Sequence, residues 1–453
     1  MKMRLTATVA AAALCLFGAS GGASAASLEE AIAQALDFNP RIKAASSNKD
    51  AIGYELRQSR SYYLPQVDLR AGAGIADIDD LSARNNNNGN SVHANPEEVT
   101  LILQQRLFDG WEADSLVARD KSRVTGAARR VYESSEFLGL DVTEAYLDVV
   151  RAQEVLALSQ ENVRIHEQIL GSLRERGRGG VGSSADITQT EARLRRAQSV
   201  VEDAVNQLQD AQAFYMSLVG EAPSNIIEPS CPTAALPSDE QETLALLVQS
   251  NPTIRALDAD VAANEARVDL AESPLYPRVN LEATATHLDE QDGALTYEDD
   301  VRVMLMLRWN LYSGGRDAAA GREASSRLGQ SKFERSVALL QAEQETRQAW
   351  NSLRSSERRV DLLSGAVMSA TETRNSYREQ FRVGDRTLLD VLDAENEVFV
   401  VSTELVDAET VRCFQQFTIV ALTGTLLQTV GVEVPAASSE EIPSFGEMDL
   451  IVQ

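Results

Sequence analysis

Apolar and polar side chains alternate in four short stretches of the chain. After Pro65, Val67, Leu69, Ala71, Ala73 and Ile75 share one face, while Gln66, Asp68 and Arg70 share the other. The stretch that returns carries Val99, Leu101, Leu103 and Leu107. Farther on, Val279, Leu281, Ala283 and Ala285 alternate with Asn280, Glu282, Thr284 and Thr286. Val301, Val303, Leu305, Leu307 and Trp309 line one face of the fourth stretch. A period of two predicts strands, here with one apolar and one mostly polar face. The pairs fall at 66–76 with 99–108 and at 278–287 with 300–310.

Elsewhere the period is seven. Val142, Val149, Leu156, Val163 and Leu170 form one column, with Ala145, Ala152, Ser159, His166 and Leu173 beside it. Leu353, Val360 and Val367 hold the matching places later in the chain. Two returning helices show Ile187, Leu194, Val201, Leu208 and Tyr215, and then Val391, Val398 and Leu405 next to Leu392, Phe399, Val406, Cys413 and Val420. Strict spacing of seven predicts coiled-coil packing, and adjacent columns predict neighbours on both sides. The helix from about 112 to 176 would be roughly 95 Å long at 1.5 Å per residue, and a second from about 316 to 382 is similar.

These elements occur twice. Asn39-Pro40 recurs as Asn251-Pro252 and Leu64-Pro65 as Tyr276-Pro277, each 212 residues on. From Leu107-Phe108-Asp109-Gly110, matched by Leu311-Tyr312-Ser313-Gly314, the offset is 204. It stays 204 for Ala145-Tyr146 with Ala349-Trp350, and for Gly180, Asp186 and Glu191 with Gly384, Asp390 and Glu395. The eight extra residues fall around the polar tract Asn85-Asn86-Asn87-Asn88-Gly89-Asn90, which predicts a longer exposed loop in the first half. Each half reads as helix, strand, loop, strand, very long helix, turn, long helix. The first repeat spans 26–220, with its helical hairpin at 112–220; the second spans 242–424, with its hairpin at 316–424. Asn39 and Asn251 are placed to cap helices whose first turn holds Pro40 or Pro252. A proline-rich linker, 221–241, joins the halves, and a tail, 425–453, follows them.

The first 25 residues read as a leader. Lys2 and Arg4 precede an apolar run ending near Phe17, and Ala23-Ser24-Ala25 offers a cleavage point before Ala26. The run is short for a membrane anchor, and no later stretch is long and apolar enough for a transmembrane helix. The mature chain is therefore expected to be exported, and any membrane insertion must use strands. Four strands cannot close a barrel, since the smallest membrane barrels have about eight. Open edges are not tolerated in lipid, so a membrane-inserted chain must oligomerise. The other reading is a soluble four-stranded sheet packed on helices; the leader and the polar strand faces weigh against it.

Charge and composition narrow the chemistry. A net charge of −26, becoming −28 without Lys2 and Arg4, argues against nucleic acid as a partner. Three histidines and three cysteines leave little for a metal or haem site, and no cofactor is expected. No nucleophile–base pairing stands out, so nothing points to an enzyme. Gly177-Arg178-Gly179-Gly180-Val181-Gly182 matches a dinucleotide motif literally, but a long helix precedes it where a strand is needed. Gly180 and Gly182 instead read as a helical-hairpin turn, like Gly384 in the second half. Cys231 and Cys413 survive cleavage. A disulfide is one reading; the place of Cys413 in a heptad column favours a buried, unreactive thiol.

Acids cluster at the two turns. Thr387 with Asp390, and Ser183 with Asp186, have capping-box spacing, and Asp393 follows Asp390 on the same helix face. The helix dipole alone accounts for Asp186 and Asp390, but less well for Asp393, one turn further in. In a ring of chains such acids would surround one opening, where a ring of carboxylates selects cations.

Over nearly all of the mature chain this sequence resembles the TolC family of outer-membrane channel proteins. The resemblance rests on the duplicated plan, on Asn39-Pro40 and on the run Phe381-Arg382-Val383-Gly384-Asp385-Arg386-Thr387-Leu388-Leu389-Asp390-Val391-Leu392-Asp393-Ala394-Glu395-Asn396-Glu397. It implies a mainly α membrane protein, built as a homotrimer. Twelve strands would form one transmembrane β-barrel in the outer membrane, and the coiled-coil hairpins an α-barrel across the periplasm, closed at its far tip. It makes Asp390 and Asp393 acidic rings at that tip, and Arg386 and Asp186 members of a polar latch. The remaining latch position, often Tyr in the family, is Phe381, whose ring lacks the hydroxyl. The implied partners are outer-membrane lipid, a periplasmic adaptor (membrane fusion) protein and an inner-membrane ABC exporter or proton-driven pump. The run from Leu389 to Glu397 is similar to members serving type I secretion of unfolded proteins; multidrug efflux ducts share the architecture. A soluble periplasmic coiled-coil adaptor is the reading from another class, and the alternating strand pairs speak against it.

Overall fold

The structure, a computed structural model, describes residues 27–442 other than 80, 87, 180–182, 225 and 290–296, and not the side chains of 82, 83 and 86. The leader with its cleavage point, Gly180, Gly182 and residues 443–453 lie outside the described residues. The first half runs α1 (Leu28–Phe38), α2 (Pro40–Ser61), β1 (Gln66–Ala73), β2 (Ala76–Ile78), α3 (Leu81–Asn86), β3 (Val92–Ala94), β4 (Glu97–Phe108), α4 (Glu112–Arg178) and α5 (Ser184–Val219). The second runs α6 (Glu240–Ser250), α7 (Pro252–Glu272), β5 (Arg278–Asp289), β6 (Tyr297–Arg308), α8 (Arg316–Val383) and α9 (Leu388–Leu422). A short helix, α10 (Leu426–Val430), follows.

Each half thus opens with two helices rather than one. Ser27 and Glu30 form a reciprocal capping box that starts α1, and Asp239 accepts from the Glu242 N–H to start α6. Those spacings are local signals that could have announced both helices. Each short helix stops at the Asn of an Asn-Pro step. Asn39 Oδ1 accepts from the Arg41 N–H (3.0 Å), while its Nδ2 donates to Leu218 O (3.2 Å). Asn251 likewise accepts from Ile254 (3.1 Å) and donates to Leu422 O (2.9 Å). One side chain therefore caps the second helix of each half and ties it to the end of the returning helix. The eight-residue excess is also more than a loop: β2 and β3 pair antiparallel, with α3 between them.

At the waist, Ile32, Leu36, Leu138, Val142, Tyr146, Leu218, Phe417 and Val420 form the main core, shared by α1, α4, α5 and α9. A smaller core joins α6, α8 and α9 through Leu247, Leu353 and Ile419. The linker lies against this waist: Tyr146 donates to Ile227 O (2.6 Å), and Thr233 bonds Gln416 (3.3 Å). The same run brings Cys231 onto α9, where it is bonded to Cys413 as a disulfide. The expectation of a free buried thiol at Cys413 is therefore corrected. A heptad column records only helix neighbours, and here the neighbour is the linker.

The four long strands form one antiparallel sheet in the order β1-β4-β5-β6. Its register sorts the side chains into rows across all four strands. Asp68, Ile102, Thr284 and Arg302 stand in one row, and Arg70, Thr100, Thr286 and Asp300 in the next on the same face. The opposite face carries Val67, Leu103, Ala283 and Val303, then Leu69, Leu101, Ala285 and Val301. The main packing partners of these strands are one another, and among the described residues no helix covers the apolar face. A soluble sheet seated on helices would bury that face; here Leu69, Val301 and Leu305 are exposed.

Aromatic rings gather where strands meet helices. Phe108, Trp111 and Tyr276 stack edge to face at 5.2 and 4.9 Å, with Tyr62, Tyr63, Trp309 and Tyr312 at the same end. The turn into α4 is tight: Gly110 has φ 73°, and a Cβ there would lie 2.6 Å from Ser273 O. Among the described residues no helix is long and apolar enough to cross a membrane.

The two long helices differ in their surroundings. Toward the sheet α4 lies between α2 and α7; toward the far end it lies between α5 and α9. Its column Ala145, Ala152, Ser159, His166 and Leu173 is buried throughout. By contrast α8 packs on α7 and α9 and leaves Phe333, Val337, Leu340, Leu362 and Met368 exposed. The chain therefore ends in β6 and α8 on one side, and in β1, α2 and α5 on the other.

Candidate functional site

The far ends of the two hairpins meet around a small apolar core. Leu173 of α4 and Leu388 and Leu392 of α9 are buried there, with Ile169, Ile187 and Phe381 packed against them. Phe381 has no hydroxyl to offer; its ring instead faces the Arg176 guanidinium at 5.1 Å.

The turn of the second hairpin is built from local signals. Gly384 ends α8 at φ 92°, a conformation that only glycine adopts without strain, and the Asp385 N–H returns to Gln380 O (2.9 Å). Thr387 then starts α9 with a capping box. Its Oγ1 accepts from the Asp390 N–H (3.3 Å), and the Asp390 carboxylate accepts from the Thr387 N–H (3.2 Å) and hydroxyl (2.8 Å). These bonds, with Arg386 nearby, hold the Asp390 carboxyl below its usual range, so it is charged at neutral pH. The first hairpin differs: Ser183 precedes α5 without a side-chain cap bond, although its spacing to Asp186 is the same.

Arg386 is held within its own hairpin. Its Nε donates to Gln380 (2.9 Å), its guanidinium lies 4.2 Å over the Tyr377 ring, and Nη1 is 3.9 Å from Asp390. Among the described residues it makes no ion pair with Asp186 inside one chain, and Asp186 lies half-buried in the first turn of α5. Tyr377 lies nine residues before Arg386 in the chain, and only the folded turn brings the guanidinium back onto that ring.

Asp393 points elsewhere. It accepts from Arg193 of α5 at 2.9 Å, joining the first hairpin to the second. Two further pairs stitch each hairpin to itself: Arg174 with Glu191 (2.6 Å) and Arg378 with Glu395 (2.5 Å). Glu395 is buried, and burial pushes its carboxyl up despite Arg378 and Arg374. Glu191 and Glu395 were legible as repeat marks; their arginine partners were not.

An open sheet with one apolar face, an aromatic belt at its base and paired helices running far beyond it define a class: subunits of a shared β-barrel continued by a helical tube. A family model described as outer membrane efflux protein matches residues 31–221 and 243–425, one segment in each half. The chain belongs to this family. Outer membrane efflux protein BepC of Brucella suis is 27% identical over 345 residues, 76% of this chain and 75% of its own. The proteases secretion protein PrtF of Dickeya chrysanthemi is 26% identical over 420 residues, 90% of this chain and 89% of its own. Among solved structures, the outer membrane protein VceC of Vibrio cholerae superposes with a TM-score of 0.73 at 18% identity, over 90% of this chain and 97% of that one.

Proposed function

We propose that this protein is an outer-membrane exit duct that passes unfolded protein substrates delivered by a type I secretion system. The observation that carries the duct reading is the uncovered sheet. Its apolar face suits lipid, its polar face suits an aqueous lumen, and among the described residues its edges β1 and β6 are both unpaired. Three copies closing edge to edge give twelve strands, enough for an open barrel. The same closure sets the exposed side of α8 against α2 and α5 of the next copy. A stable trimer is expected on cross-linking in detergent, and a monodisperse monomer with intact strand content would refute the barrel.

In this reading Asp390 and Asp393 ring the periplasmic mouth, while Asp186, Phe381 and Arg386 belong to the latch that keeps it shut. Arg386 and Asp186, not paired within one chain, would meet between neighbouring copies. Like charges in a narrow opening repel one another and attract cations. The pore should favour cations and be blocked by multivalent cations from that side. Asp390→Ala with Asp393→Ala should abolish the block in bilayer recordings; unchanged selectivity and block would reduce both acids to helix-start residues.

Secretion is favoured by the run Leu389 to Glu397 and by the likeness to PrtF across most of the chain. Drug efflux is the second reading, favoured by the likeness to BepC. Deleting the gene separates them: secretion predicts loss of an exported protein from the medium, efflux a gain in drug sensitivity. Either role calls for a periplasmic adaptor and an inner-membrane ABC exporter or proton-driven pump.

A further inference from the structure

The ion pairs at the tip fall into two kinds. Arg174–Glu191 and Arg378–Glu395 each span 17 residues. Their members correspond at the repeat offset of 204, so the same bond recurs in both hairpins. The Arg193–Asp393 pair breaks the duplication. At the same offset Arg193 corresponds to Glu397, and Asp393 to Gln189. The transposed contact would set Glu397 against Gln189, which cannot form an ion pair. The tie therefore joins α5 to α9 in one direction only, within a chain.

Its exposure also differs. The Glu395 side chain is buried, so water cannot readily take the place of Arg378. The side chains of Arg193 and Asp393 are 34% and 58% exposed, so water can replace either partner when the bond opens. A contact that breaks whenever two hairpins part has to be of this second kind. Electrostatics point the same way. Asp390 is held by its own capping box with Thr387 and by Arg386, whereas the charge of Asp393 is offset by Arg193 alone among the ion pairs of the described residues.

We propose that Arg193 is a gating and selectivity residue of the tip. It ties the first hairpin to the second within each chain, and it masks Asp393 while the tip is closed. Parting the hairpins breaks the tie and exposes the acid to the passage together, so opening and cation preference are coupled. This rests on the reading of Asp390 and Asp393 as aperture acids.

The test is planar-bilayer recording of the purified oligomer, with conductance and reversal potential in a salt gradient. Arg193→Ala should raise the closed-state conductance about 1.4- to fivefold, the range set by losing one exposed ion pair. It should also move the reversal potential toward cations and strengthen multivalent block. Arg193→Lys should restore wild-type values, and the exchange Arg193→Asp with Asp393→Arg should restore low conductance. A merely structural role would not move selectivity. Wild-type conductance and reversal potential in Arg193→Ala, with block still abolished by Asp390→Ala with Asp393→Ala, overturns the role of Arg193 alone. Block that survives the double aspartate variant overturns the aperture reading itself.

Discussion

Glu136 stands on α4 at the waist with no exposed surface. Its carboxylate accepts from the backbone N–H of Leu426 (2.9 Å) and Leu427 (3.4 Å), the first turn of α10. Burial raises its pKa from 4.5 to about 7, against the pull of those N–H groups and of Tyr132. Between these values the folded chain holds a proton that the unfolded chain has released. The contribution of this group to stability is therefore full below the unfolded pKa of 4.5, falls as pH rises, and levels off above about 7. At about 1.4 kcal/mol per pKa unit the total loss is about 3 kcal/mol. Glu136→Gln removes the titration. Its amide, like the protonated carboxyl that it replaces, keeps one acceptor oxygen and one donor group. The variant should match wild type near pH 5 and be more stable by up to about 3 kcal/mol near pH 8, so the two curves should diverge as pH rises. Thermal or urea unfolding of the detergent-solubilised protein, followed by circular dichroism at each pH, measures the difference. Subtraction cancels other carboxyls such as Asp390 and Glu440, whose lowered pKa values give the opposite trend. A difference that stays flat from pH 5 to 8 would show that Glu136 titrates like an exposed carboxyl, and the reasoning from burial would fail.

Three further outcomes are expected. Trimming the polar tract 85–90 should leave trimer formation and transport intact, because β2 and β3, which flank it in sequence, pair with each other; failure to cross-link as an oligomer would make it structural. Cys413→Ala opens a loop of 182 residues between the disulfide partners and should cost about 2–5 kcal/mol, seen as a lower melting temperature that reductant no longer changes. Arg378→Ala leaves Glu395 buried without its nearest cation and should cost about 3–5 kcal/mol, with protease cleavage at the tip as the readout.

The sequence by itself determined much of what depends on one element's own geometry. Side chains alternate along a strand because successive Cβ atoms point to opposite faces, so Val67, Leu69 and Ala71 declare their common face without any partner. Heptad columns and the caps at Asn39, Asn251 and Thr387 are likewise local, and the duplication is a comparison of the chain with itself. Even the need for more than one copy follows from counting four strands. What the tertiary structure alone decided is which distant groups meet. Cys231 reaches Cys413 because the linker lies on the waist; Arg193 reaches Asp393 because α5 and α9 converge at the tip; Glu136 becomes a cap because the chain returns to α4 after α9. Spacing within an element carries no record of such meetings. They arise from how the helices pack, and packing sums many weak contacts spread over residues far apart in the chain.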